Sequence, residues 1–587
     1  MSLKIVLNLI LVFVLGLSQK VEAQRKNKKE KTPKSSLYIQ QEAEYYFTEG
    51  EKQFILEDYA KAVTNFRSSI QLAPKNDVAY FKLAQIYNTT NQLDAAKQSI
   101  IKALNLNENN SYYYLLAADI FTNANNLKEA TKYYEQLISK IPGEEHTFFQ
   151  LGAIYLYLQD YENALYTYQR AEDHFGINEQ ASVQKQKIYL KQNQVDKAIE
   201  EGQKLMDEFP NNPKYVVMLA EVLSANGHEK EAIALIETLL TSTPEVPGIR
   251  LLLADLYRKN IQLDKFEEEL NIAFNIKEIA ISAKINAVMK YMAFLPDTRL
   301  EKILPPLCDI IVKVHPNDYN GFLLQGDVYS TFLEKQLVDS ENTKEYQAKA
   351  IAGYAKYVQF DESKFNVWQN LLNLELQQNS FDSVIIHGEQ ALEVFPNQIW
   401  LYLVNGVAYL SSEKWEKAIF YFEEGVKRAA NNNQMLELFY GYLGDSYYKA
   451  GNYPKSDGYY DKALLINPNN ELILNNYSYY LSLRGQNLEK ANEMSLKLMR
   501  INSENLAYLD TYAWVQFKLG KYEEAKRVME KVIGDNSANA ENYDHFGDIL
   551  YKLGEIEKAK IQWQKAKELD DTTENIDKKI EQGKIIQ

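Results

Sequence analysis

Residues 80–87 read Tyr80-Phe81-Lys82-Leu83-Ala84-Gln85-Ile86-Tyr87, and twelve residues beyond the small Ala84 stands a second small residue, Ala96. Steps of 34 from Ala96 land on Ala62, Ala130, Ala164, Ala198 and Ala232 without a slip, with Phe266 at the next such place. Twelve residues before members of this series come Gly50, Ala84, Ala118, Gly152, Ala220 and Ala254, and four residues after come Phe66, Ile100, Tyr134, Tyr168, Ile236 and Leu270. Pro74, Pro142, Pro210 and Pro244 close their units twelve residues on. Self-similarity at a fixed period of this length marks a repeat array. A proline cannot continue the second helix of a unit, so it sets the boundary before the next.

The second half continues the series with insertions, through Leu304, Ala350, Val384, Ala418, Ser456, Ala491, Ala525 and Ala559, with Pro316, Pro396 and Pro468 as terminators. Fifteen units result, some degenerate. Residues 277–316 lack the small-residue marks and contain Pro296, Pro305 and Pro306, so they read as a divergent repeat or a joint between arrays at 41–276 and 317–572. Between Gly326 and Ala350 a 12-residue excess, including Leu337 to Glu345, lengthens the turn of one unit. Residues 573–587 place Ile576, Ile580, Ile585 and Ile586 to cover one face and read as a capping helix.

This pattern resembles the tetratricopeptide repeat (TPR), a helix-turn-helix unit in which small residues let two helices approach and large ones fill the gap beside them. The resemblance runs from about Glu42 to Asp571 and implies an all-α, right-handed superhelical solenoid. Each unit then contacts mainly its neighbours, so the 587 residues need not divide into several globules.

Composition narrows the rest. With 24 Gly and 14 Pro the chain is too poor in turn-formers for a many-stranded sandwich or barrel. One cysteine, Cys308, excludes a disulfide framework and reads as a buried structural thiol. The formal net charge of −15 argues against nucleic acid, whose phosphates need a concentrated basic face.

The first 23 residues carry Lys4, an apolar stretch from Ile5 to Leu17, and Val21-Glu22-Ala23 before a cut, the pattern of a cleaved secretory signal. The mature chain would begin at Gln24 with a basic arm over 24–40, where six Lys and Arg stand against Glu30. Such an arm is expected to be disordered, and is the one part suited to an anionic membrane surface.

Catalytic chemistry is hard to find. The six His are never closer than 28 residues, so no i, i+4 ligand pair exists, and neither a nucleophile elbow nor a dinucleotide-binding glycine motif occurs. Gly321 and Gly326 have P-loop spacing but lead into Asp327-Val328 where Lys and Ser or Thr are required. No metal or cofactor is expected. Adjacent carboxylates such as Glu423-Glu424 read as solvated helix faces.

The resemblance implies a groove lined by the first helix of each unit, holding a protein or an extended peptide. Counting from each small residue nominates Asn475, Tyr479 and Ser482, then Asp510, Trp514 and Phe517, then Asp544, Asp548 and Tyr551. Asn can pair with an extended main chain and carboxylates favour Lys or Arg, so the ligand would be basic. For Trp514 and Phe517, packing between helices is the competing reading. The segments Leu474–Leu481 and Tyr508–Val515 resemble the C-terminal repeats of long bacterial envelope proteins of this class. That similarity implies a periplasmic adaptor, soluble after signal cleavage, with outer-membrane association left open.

The expected function is therefore a non-enzymatic, protein-binding scaffold of the cell envelope. Alternatives are a component of outer-membrane assembly or secretion machinery, an accessory of a periplasmic protease or other enzyme, an enzyme or transferase accessory with its chemistry in the irregular stretch Lys277 to Lys349, where a cleft-lining His315 would favour it, and a spacer between envelope layers. The 43 tyrosines are assigned largely to architecture: Tyr87, Tyr155, Tyr189, Tyr257, Tyr329, Tyr409 and Tyr447 each stand three residues after a first-helix small position.

Overall fold

The structure is a computed structural model that describes residues 36–210, 212–243, 248–535, 537–572 and 575–586. Within them lie 31 α-helices and no strand: fifteen consecutive pairs and one closing helix, Ile576–Gln582. The all-α repeat architecture expected from the period is the one observed. The signal segment and the basic arm as far as residue 35 lie outside the described residues. The remainder of the predicted arm is not disordered, since the first helix, Ser36–Ile55, begins inside it. The charge run ends at Lys34, and Ile39 stands four residues before the buried Ala43, on the same face.

Contacts group the chain into two units, up to Leu263 and from Asp264 onward. Residues 277–316, read as a repeat or a joint, form a helix pair within the second unit, Ile281–Met292 and Thr298–Val314. Cys308 is fully buried there, and burial pushes its thiol pKa up.

The turn inside each helix pair has its own period. Glu57, Asn91, Asn125, Gln159, Asn193, Gly227 and Ile261 follow one another at 34 residues, and all have φ between +54° and +85°. The amide after such a residue returns to a carbonyl five positions back, as in Gln92 to Tyr87 at 2.7 Å and Asp160 to Tyr155 at 2.8 Å. This left-handed closure stops the first helix sharply and starts the second. Between units, Pro74, Pro142 and Pro210 stand two residues past the helices ending at Leu72, Lys140 and Glu208.

Packing within a pair follows the small and large positions. A Cβ on Gly50 would lie 2.8 Å from the Phe66 ring; on Gly152, 2.6 Å from Tyr168; on Gly406, 2.3 Å from Phe422; on Gly547, 2.4 Å from Trp563. Each large residue stands sixteen after its glycine and fills the space the missing side chain leaves. In the unit with the 12-residue excess the same pair is Gly326 and Tyr354, 28 apart. In the unit covering 179–208 the roles are exchanged, for Gln186 occupies the first helix and Gly202 the second, where a Cβ would meet Gln186 Nε2 at 2.6 Å. Beside it Lys185 is buried between Glu172 and Glu201, with the Glu201 carboxylate at 2.7 Å.

The tyrosines tie units together. Tyr155 donates its hydroxyl to Glu135 at 3.3 Å, Tyr257 to Glu237 at 2.6 Å, Tyr329 to Asp309 at 3.1 Å and Tyr409 to Glu389 at 2.6 Å. Each acceptor lies twenty residues earlier, on the second helix of the preceding unit. Where that place holds Arg67, its guanidinium lies 5.9 Å from the Tyr87 ring centroid instead. For Tyr447 the acceptor is Glu423, 24 residues back, at 2.7 Å. The four extra residues are one added turn of the helix Asn433–Lys449, which has 17 residues where Ile399–Ser411 has 13.

Candidate functional site

Four successive first-position helices carry or adjoin the nominated residues: Glu471–Arg484, Leu506–Lys518, Ala540–Lys552 and the closing Ile576–Gln582. Asn470, Asn505 and Asn539 cap the first three, each accepting backbone amides of the opening turn. The closing helix stands where the first helix of a further unit would.

Successive helices in this series meet through residues 35 apart. His545 Nδ1 lies 3.1 Å from both oxygens of Asp510. Lys579 donates to Asp544 at 2.7 and 2.8 Å and to Asp548 at 2.9 and 3.1 Å, while Trp563 Nε1 donates to Asp548 at 3.0 Å. The first unit shows the same step in Glu179 and Lys214, 2.6 Å apart. Burial works against a charge on His545, but the Asp510 carboxylate outweighs it and the imidazole pKa is raised. Lys579 is likewise raised, its two carboxylate partners overcoming desolvation.

These contacts revise the nominated set. The Trp514 ring stacks on His545 at 4.0 Å and on Phe517 at 4.7 Å, with Trp514 7% and Phe517 8% exposed. Both belong to one core with Val528, Met529, Ile549 and Trp563. Asp510 and Asp548 are buried and satisfied inside the chain, and Asp544 shares the Lys579 ammonium. Each of these carboxylates is already paired with a side chain of this chain, so the basic character expected of the partner has no support here. Asn475, Tyr479 and Tyr551 remain partly exposed, Tyr479 donating to Glu541 and Tyr551 lying 6.2 Å from the Trp563 ring. His315, the residue an enzymatic reading would use, has its Nε2 2.8 Å from Lys284 Nζ, which also donates to the carbonyls of Phe274 and Ile276 at 2.9 and 2.7 Å. Burial pushes the Lys284 pKa down to about 8. These contacts tie the partly exposed His315 to the helix Ile281–Met292.

A more open arrangement lies in the unit with the 12-residue excess. There the first helix, Tyr319–Glu334, and the second, Thr343–Val358, have 16 residues each, so the excess lengthens helices as well as their turn. The end of the first, the start of the second and the helix Phe365–Gln377 enclose a pocket of about 370 Å³. Its polar walls come from Ser330, Glu334, Gln347, Asn370, Asn373 and Gln377. Asn370, Asn373 and Gln377 stand at i, i+3 and i+7 of one helix and so share a face. The 12-residue excess marks this site in the sequence, while the amide row across from it follows no repeat mark.

Tetratricopeptide-repeat family models match residues 54–120 and 189–247, 438–470, and 507–534. The chain carries tetratricopeptide repeats. It is 28% identical over 131 residues to a TPR repeat-containing protein of Pseudomonas aeruginosa, a match spanning 22% of this chain and 21% of that protein. Among solved structures, a tetratricopeptide repeat protein from Parabacteroides merdae has 18% identity and a TM-score of 0.37, covering 45% of this chain and 98% of the other. The APC/C hetero-tetramer Cut9-Hcn1 has 15% identity and a TM-score of 0.32, covering 94% of this chain and 92% of the other.

Proposed function

We infer that the chain is a non-enzymatic protein-binding scaffold that acts after export to the bacterial cell envelope. The observation that carries the scaffold reading is how the repeats use their chemistry. The prominent buried ionisable groups, Lys185, Lys284, Asp510, His545 and Lys579, are each committed to a partner within the chain, and they lie between helices rather than around a reaction centre. Repeats of this kind offer extended surfaces, and their function is set by the sites placed on them. Export rests on the sequence of residues 1–23. A component of outer-membrane assembly or secretion, or an accessory of a periplasmic protease, falls within the same reading.

The test is photo-crosslinking in cells from a reactive residue placed at Asn373, followed by identification of what is bound and by fractionation. A protein partner recovered from the periplasmic fraction, on a chain beginning at Gln24, is the expected result. Cytoplasmic recovery with residues 1–23 retained would end the envelope reading, and absence of any protein adduct from Asn373 and from one reactive residue placed on the first helix of every other repeat would end the scaffold reading.

A further inference from the structure

We propose that Lys284 and His315 form an acid-released lock, which fastens the end of the helix Leu263–Asn275 to the start of the helix Ile281–Met292 near neutral pH and lets that end part when His315 takes up a proton.

Lys284 lies in the first turn of its helix with none of its surface exposed, and its ammonium has three N–H donors. Two go to carbonyls at the C-terminal end of Leu263–Asn275, where a helix leaves its last carbonyls unanswered: Phe274 at 2.9 Å and Ile276 at 2.7 Å. The third goes to His315 Nε2 at 2.8 Å. His315 in turn caps the helix Thr298–Val314, so three helices meet at one ammonium. The chain's other buried lysines, Lys185 and Lys579, each face two carboxylates. Lys284 has no carboxylate at ion-pair distance among the described residues, and an imidazole stands where one would be expected.

That substitution makes the contact sensitive to acid. Nε2 must be bare to accept from the ammonium, which keeps the ring neutral with its proton on Nδ1. A proton on Nε2 turns the acceptor into a donor and sets two cations against each other, so the contact is lost. His315 is partly exposed, and solvent protons reach it. The surrounding charges are few and mixed. Lys277 and Glu278 lie in the connection before Ile281–Met292 and Asp318 lies past the end of Thr298–Val314, while the helix Tyr319–Glu334 approaches with Gly321, beside Ile281 and Ile311. Burial and the Lys284 ammonium hold the His315 pKa below its ordinary value, against the pull of Asp318. The stability contributed by the neutral ring is therefore whole above the unfolded value of about 6.5 and is lost as pH falls from there toward the folded value.

Other contacts on the same helices limit how far the opening spreads. The opposite end of Leu263–Asn275 is held by Phe266 against Tyr291, ring centroids 5.2 Å apart, and by Asp264 and Glu267 with Arg299. His315 takes no part in these ties, so release is confined to residues 274–284.

The test is hydrogen–deuterium exchange of the full chain at pH 7.5 and pH 5.5, corrected for the intrinsic rate. Amides of residues 274–284 should exchange about threefold faster or more at the lower pH, as a proton-linked local opening requires, while those of residues 264–270 keep their protection. His315→Gln supplies a carbonyl that accepts from Lys284 at either pH, so its exchange over 274–284 should stay slow and alike in both. Lys284→Met removes the ammonium itself, so the same amides should be equally unprotected at both. An acid step of the same size in His315→Gln would overturn the assignment to His315. Unchanged exchange over 274–284 in the wild type would overturn the lock. Protection lost evenly from Asp264 to the chain end would overturn local release and leave the pair as a general stabilising contact.

Discussion

Asp510 and His545 stand 35 residues apart and face each other across two successive helices, one ring nitrogen 3.1 Å from both carboxylate oxygens and the ring face 4.0 Å from Trp514. The folded-state pKa of this imidazole is raised, so the stability it contributes is fully present below the unfolded value of about 6.5 and is lost as pH rises through the folded value. Melting of the wild type should therefore fall between pH 6 and pH 9 relative to Asp510→Asn, in which the difference disappears. Parallel curves for the two chains would mean that Asp510 does not shift the titration of His545.

Lys579 is the counterpart at the chain end. Lys579→Ala leaves Asp544 and the buried Asp548 without their shared cation, a loss of about 3 kcal/mol by the usual cost of breaking a buried pair. Urea denaturation should show it as an early transition of the C-terminal repeats. A single unshifted transition would place Lys579 at the surface in solution.

The glycine at position 406 is a packing requirement. Gly406→Ala puts a methyl group 2.3 Å from the Phe422 ring and should cost about 2 kcal/mol. Phe422→Leu on the same chain should recover part of that cost, which a double-mutant cycle would measure as coupling. Additive effects would deny the contact.

Ile261 is the odd member of the turn series, a β-branched residue at φ +59° with 81% of its surface exposed. Left-handed backbone is costly for such a side chain, so Ile261→Gly should raise stability by about 1 kcal/mol, read from the denaturation midpoint.

Much of this fold could be read from Ala62 to Ala232, because a packing rule that repeats leaves its spacing in the sequence. Gln186 and Gly202 escaped that reading for a physical reason: the helices need one small and one large partner, and either helix can supply the small one. The tyrosine ties were legible in part. Their position was marked as packing, but the acid twenty residues earlier becomes visible only when units are compared pairwise. The nominated groove was read least well. Offsets along a helix cannot tell Trp514 in a core from Trp514 on a face, nor show that Lys579, assigned simply to a cap, would fill the space before Asp544 and Asp548. The pocket lay beyond reach, since it depends on where two lengthened helices end.

The helix Asn433–Lys449 carries a wider implication for how such a chain can change its length. Its four additional residues make about one turn, so the residues beyond them return to the same side and Tyr447 still finds Glu423. Growth by one or two residues would rotate every later contact of that helix out of phase. In this helix, insertions that keep the tie to the preceding unit should therefore come in near-whole turns.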